Sequence, residues 1–187
     1  MKKIILFITA SILISNSTFS QEKLNINIQK STIKWIGEYT FYFGGHDGFI
    51  QFKEGHFIKT NDMITGGEFV IDMNSMTNTD IEEQKGKDSL INHLKEPDFF
   101  DVKKFPLGNL KITKVEYSDK THARIEADLT LKGVTESINF RAEFNFGKKE
   151  MKTRFKINRK KWNVNYKSKF KDGAISDAIG FEISIKL

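Results

Sequence analysis

Cysteine is absent from all 187 residues. That excludes disulfide staples, thiol nucleophiles and cysteine-ligated metal centres, so the fold must rest on packing and hydrogen bonding. It also excludes a lipid anchor through an N-terminal cysteine. Proline is nearly missing, with Pro97 and Pro106 its only two occurrences. No stretch beyond residue 20 is apolar enough to span a membrane. The four histidines, His46, His56, His93 and His122, lack H-x-H or H-E-x-x-H spacing. Zinc normally takes three or four protein ligands, so neither a metal nor another cofactor is expected. Serine and threonine are plentiful but no nucleophile elbow accompanies them. Glu82-Glu83 and the Asp98/Asp101 pair are carboxylates of the kind glycosidases use, yet such pairs are common on solvated surfaces. The charge excess is mild: +6 overall, and +4 once Lys2 and Lys3 are set aside. Anionic partners are favoured only weakly.

What is present starts at the N-terminus. Lys2 and Lys3 precede an apolar run from Ile4 to Ile14, and Thr18-Phe19-Ser20 places small side chains at the -3 and -1 positions of a signal-peptidase site. The run is too short for a permanent span, which takes about 20 residues. Residues 1–20 are therefore expected to be a cleavable signal peptide, and residues 21–187 one domain that is periplasmic or secreted.

Alternation organises that domain. Ile33, Trp35, Tyr39, Phe41 and Phe43 fall on odd positions, with Lys34, Glu38 and Thr40 between them. Ile125, Ala127, Leu129 and Leu131 repeat the pattern, as do Ile138, Phe140, Ala142, Phe144 and Phe146. Met151 to Ile157 and Ile179 to Leu187 follow suit. Turns are expected at Lys53-Glu54-Gly55, Asn61-Asp62 and Lys132-Gly133, and a bulge at Gly66-Gly67. Asp80 to Glu96 has helical character: Asp88 or Ser89 could cap a helix with Leu90, Ile91 and Leu94 on one face, and Pro97 ends it. The class is all-β: an antiparallel up-and-down β-barrel of about eight strands with one short helix inserted mid-chain. A two-sheet sandwich competes, since periodicity alone does not separate the two. Nor does it decide whether the 17 phenylalanines pack a solid core or line a cavity.

Four ordered stretches carry a resemblance: Gly48 to Gly55, Gly66 to Ser75, His93 to Pro106 and Ala127 to Thr135. With Ile157-Asn158-Arg159, Trp162 and the closing Phe181 to Ile185, they resemble the YceI-like family of exported bacterial proteins. The resemblance covers nearly the whole domain. It implies a lipocalin-like barrel and a binder, not an enzyme, that carries or sequesters a polyisoprenoid lipid of polyprenyl-phosphate or quinone-like type. Lys160-Lys161-Trp162-Asn163 departs from the family pattern and makes that rim more basic.

On this reading Trp35, Phe41, Phe52, Phe69, Phe140, Phe144, Phe155 and Phe181 line an apolar interior. Leu90, Leu94, Phe99 and Phe100 sit at its entrance as plug or gate, and Arg159 and Lys161 meet a headgroup. The expected partner is the isoprenoid lipid, with transient membrane contact allowed and no nucleic acid; the sequence leaves the oligomeric state open. The basic runs at Lys148-Lys149, Arg159 to Lys161 and Lys167/Lys169/Lys171, although interleaved with Trp162, Tyr166 and Phe170, read as solvated faces. Two alternatives stay open: a lipid- or glycan-modifying enzyme using carboxylates or histidine at the barrel mouth, and a packed barrel with a structural role.

Overall fold

Residues such as Ile125 and Ala127 have no accessible surface left, while Arg124 between their strand neighbours is exposed. Strand alternation thus becomes an inside and an outside. In the computed structural model, which describes residues 21–41, 43–166 and 175–187, nine strands form one antiparallel sheet. They are β1 (Gln21–Asn25), β2 (Thr32–Tyr39), β3 (Gly45–Thr60), β4 (Met63–Asp72), β5 (Leu107–Tyr117), β6 (His122–Leu131), β7 (Val134–Asn145), β8 (Glu150–Asn158) and β9 (Ile175–Lys186). Each strand from β2 to β9 pairs with the next in sequence, and β2 also pairs with β9, with Ile33 opposite Ile183. Eight strands therefore close an up-and-down barrel with no free edge among them. β1 lies outside that ring, paired with the far half of β3.

Turn chemistry sets the registers. Asn61 and Asp62 both have positive φ between Thr60 and Met63, as do Lys132 and Gly133 between Leu131 and Val134. Both are two-residue hairpins whose backbone matches strand twist. A register shift at Thr65 adjoins Gly66, where a bulge was expected.

Lys53-Glu54-Gly55 is not a turn. β3 runs straight through it, and the β3–β4 register shifts between Phe52 and Glu54. The inward set changes there from Gly48, Ile50 and Phe52 to Gly55 and Phe57. A polar triplet that resembles a turn is instead a bulge that inverts which parity faces the core.

The helix α1 (Gln84–Lys95) joins β4 to β5. It begins a turn before Asp88, and its N-cap Glu83 makes no side-chain capping bond. Asp88 is inside the helix, accepting from the Gln84 side chain at 2.8 Å. The helix ends at Glu96, whose extended backbone precedes Pro97 as expected. Ahead of α1, the chain is laced to β3: the Thr77 amide donates to the Phe49 carbonyl at 2.8 Å and the Thr79 amide to that of Asp47 at 3.0 Å. Gly48 lets this crossing lie close, because a Cβ there would overlap the Thr77 carbonyl.

Candidate functional site

The two barrel ends differ. Around Phe57 the interior is solid: Phe69 stands 5.1 Å away edge-on, Phe144 6.1 Å, and Tyr117 packs on Phe144 at 5.7 Å. The Tyr117 hydroxyl accepts from the Ile64 amide at 3.1 Å, so its polar tip is satisfied. Toward α1 the side chains stop meeting, and a cavity of about 290 Å³ remains. Every strand from β2 to β9 contributes to its wall.

Trp35, Phe52, Phe69, Phe140, Phe155 and Phe181 all line this cavity. Phe140 stacks on Phe155 at 4.6 Å with planes 14° apart, and Phe155 meets Phe181 at 5.6 Å. The three rings make an aromatic stripe across β7, β8 and β9. Leu90 and Leu94 of α1 and Phe99 and Phe100 of the following loop line its helix side. Two expected lining residues do not. Phe144 is buried in the solid end, away from the cavity wall. Phe41 lies outside altogether, because β2 ends at Tyr39 and the side chain is 69 % exposed.

Arg159 needs a larger correction. It reaches the cavity wall but is 4 % exposed, and its guanidinium is committed. Nε donates to the Ser176 carbonyl at 3.1 Å, Nη1 to that of Val164, and Nη2 to that of Tyr166 at 3.1 Å. Asp177 stands 3.5 Å away. Burial lowers the guanidinium pKa and Asp177 partly restores it. Arg159 therefore clamps two backbone segments at the mouth, through three carbonyls, with little donor capacity left for a headgroup. Lys161 is exposed and does not line the cavity. Lys167, Lys169, Lys171 and Phe170 lie outside the described residues.

Sequence reasoning missed His93, Met76, Leu110, Tyr166 and Ile179, which also line the cavity. Tyr166 follows an irregular stretch, so no period could flag it. His93 faces Phe99 and Tyr166 edge-on at 5.0 and 4.7 Å. Its Nε2 sits 3.5 Å from Asp98, close enough for an ion pair but without hydrogen-bond geometry. Among the described residues it is the buried side-chain polar atom left without a hydrogen-bond partner.

The other edge of the mouth is polar but closed on itself. His46 Nδ1 contacts Asp80 at 2.8 Å and its Nε2 the Tyr39 hydroxyl at 3.1 Å. Asp80 also accepts from the Asp47 amide at 2.8 Å and from Asn78. Burial pushes the Asp80 carboxyl up, but the Asp47 amide, His46 and Asn78 outweigh it and hold the pKa below its ordinary value. The Lys34 side chain, then Thr79, lowers Asp47 likewise. Depressed carboxylates stabilise the fold above their unfolded pKa, and that support is lost as pH falls through the folded value. Asp80→Asn should therefore flatten the acid limb of the melting-temperature profile below about pH 4, leaving its shape near pH 7 unchanged. An acid limb identical to the parent's would refute this.

Among the described residues, no three metal-ligating side chains converge. His46 and His56 do not meet, since His56 lies on β3 opposite Glu68. Glu82, Glu83, Asp98 and Asp101 are off the cavity wall. No helix among the described residues is long and apolar enough to cross a membrane.

Comparison with known proteins agrees with this geometry. The family described as YceI-like domain matches residues 18–187. UPF0312 proteins of Pseudomonas putida strains W619 and GB-1 are 26 % and 25 % identical over 137 residues, covering 73 % of this chain and 68 % of each relative. The crystal structure of Burkholderia cenocepacia BcnA superposes with a TM-score of 0.70 at 15 % identity, over 86 % of this chain and 98 % of that one. A mutant CJ YCEI protein crystallised for nanotechnology applications gives 0.51 at 19 % identity, over 98 % and 97 %.

Proposed function

The chain belongs to the YceI-like domain family, and from that premise we propose that it binds an amphiphilic isoprenoid lipid, of polyprenyl-phosphate or quinone-like type, and carries or sequesters it outside the cytoplasm. The observation that carries this reading is the apolar cavity of about 290 Å³ at the helix end of a barrel that is solid at its other end. An apolar void of about 150 Å³ already stays dry and takes up a small hydrocarbon. One nearly twice that size, walled by Trp35, Phe140, Phe155 and Phe181, suits an unsaturated branched chain.

Burial of methylene groups drives such binding at about 0.8 kcal/mol each, so a five-carbon prenyl unit is worth about 4 kcal/mol gross. Three units offset much of the association cost of about 4–15 kcal/mol. Few polar groups spoil the wall: Thr153 lines it, but its hydroxyl donates to the Arg141 carbonyl at 2.7 Å. The polar end of the lipid sits at the mouth, beside His93, whose Nε2 makes no hydrogen bond. The role is carriage and not catalysis, since His46 and Asp80 at the mouth already satisfy each other and their neighbours. Residues 1–20, outside the described residues, act as the export signal.

Delipidated protein titrated with a fluorescent farnesyl analogue should bind it saturably at one site. Native mass spectrometry of protein from its own host should show an adduct that organic solvent removes. A flat titration would end the carrier reading.

A further inference from the structure

The β2–β3 hairpin tip carries two aromatics that no described residue covers. Phe41 is 69 % exposed and Phe43 fully so, whereas Phe146, the next most exposed large apolar side chain among the described residues, is 44 % exposed. Single exposed apolar residues need no explanation, but two phenylalanines in one turn form a costly patch. Their position matters. Glu38 and Tyr39 before the tip and Gly45 and His46 after it line the cavity. The turn after β8 stands at the same barrel end, because Tyr39 pairs with Ile175 and Asn158 with Ala178 on β9. That turn exposes Lys160 and Lys161. Lys160 is held by Asp177 at 2.7 Å, while Lys161 has no ion-pair partner among the described residues.

We propose that this end of the barrel docks on a lipid bilayer, with Phe41 and Phe43 inserted among the acyl chains and Lys161 over an anionic headgroup. The inference rests on the lipid-carrier reading for its purpose, since docking would set the cavity mouth against the source of its cargo. Its physics is independent. Aromatic side chains backed by a cation bind an interface through buried apolar area plus electrostatic attraction. The insertion is shallow and reversible, because two side chains fall far short of a spanning segment.

The test uses protein from Gln21 onward, the part that closes as a barrel, so that the apolar N-terminal run cannot bind vesicles itself. The parent should co-sediment with phosphatidylethanolamine–phosphatidylglycerol vesicles. The F41S/F43S double variant should partition about tenfold less or weaker still, and transfer a prenyl probe out of vesicles correspondingly slowly. Its melting temperature and its affinity for the probe in vesicle-free solution should match the parent's, since both residues lie off the cavity wall. Equal partitioning of parent and variant, or none by the parent, overturns docking. So does a parent that dimerises through this tip without touching vesicles. Failure of the vesicle-free titration would remove the carrier reading and leave docking standing.

Discussion

Phe140→Asp is expected to cost about 5 kcal/mol at pH 7, a large share of the stability of a domain this size. Phe140 is 7 % exposed, opposite Ile125 on β6 and stacked on Phe155. The substitution removes that stack and puts a carboxylate into an apolar wall. Burial would raise the carboxyl pKa above its unfolded value. The electrostatic share of the cost is therefore absent below the unfolded pKa, grows as pH rises through it, and levels off above the folded value. Urea midpoints at pH 7 and at about pH 4 should both fall below the parent's, with the gap wider at pH 7. A variant that melts like the parent would show that Phe140 does not face the core.

The second large effect is on binding. Leu110 is half-buried on β5 between Phe69 and Leu129 and lines the cavity. Leu110→Trp should fill the void that the proposed lipid would occupy, weakening a prenyl probe by about 100-fold with little change in melting. Ala142→Trp is the matching control. Ala142 is 3 % exposed and off the cavity wall, so the same bulk meets packed atoms there and costs about 1–3 kcal/mol of stability. Loss of stability from Leu110→Trp with undiminished binding would mean that the cavity is not the binding site.

The strands were legible wherever one parity stays inside from end to end. β6 and β7 are such cases, with Ala127 opposite Ile138 and Ile125 opposite Phe140. Legibility failed where something non-local decides. Phe41 and Phe43 continue the odd-numbered series of β2, but the β2–β9 register shifts after Gly37 and pairing stops at Tyr39, so the alternation outlasts the strand. Lys53-Glu54-Gly55 has turn composition, yet β4 pairs on either side of it. The first turn of α1, Gln84-Lys85-Gly86-Lys87, offers no apolar period and forms without one. Arg159 looked available because its neighbours in sequence are lysines. Its partners are carbonyls at 164, 166 and 176, brought back by the chain's return into β9. Basic residues near a mouth become headgroup contacts only if the backbone has not already claimed them.

The pairing that shuts the ring has a consequence in time. β2 meets β9, and Ile33 lies opposite Ile183, so the wall is completed by segments from the two extremes of the domain. Such a seam carries the largest loop-closure entropy of any pairing in the sheet, and contacts this distant in sequence slow folding. Without β9 the ring has no closing strand, and the aromatic stripe of Phe140 and Phe155 lacks Phe181. The container exists only with β9 in place, since Ile179, Phe181 and Ile183 form part of its wall. If the cavity carries a lipid as proposed, loading must wait until β9 has closed the ring.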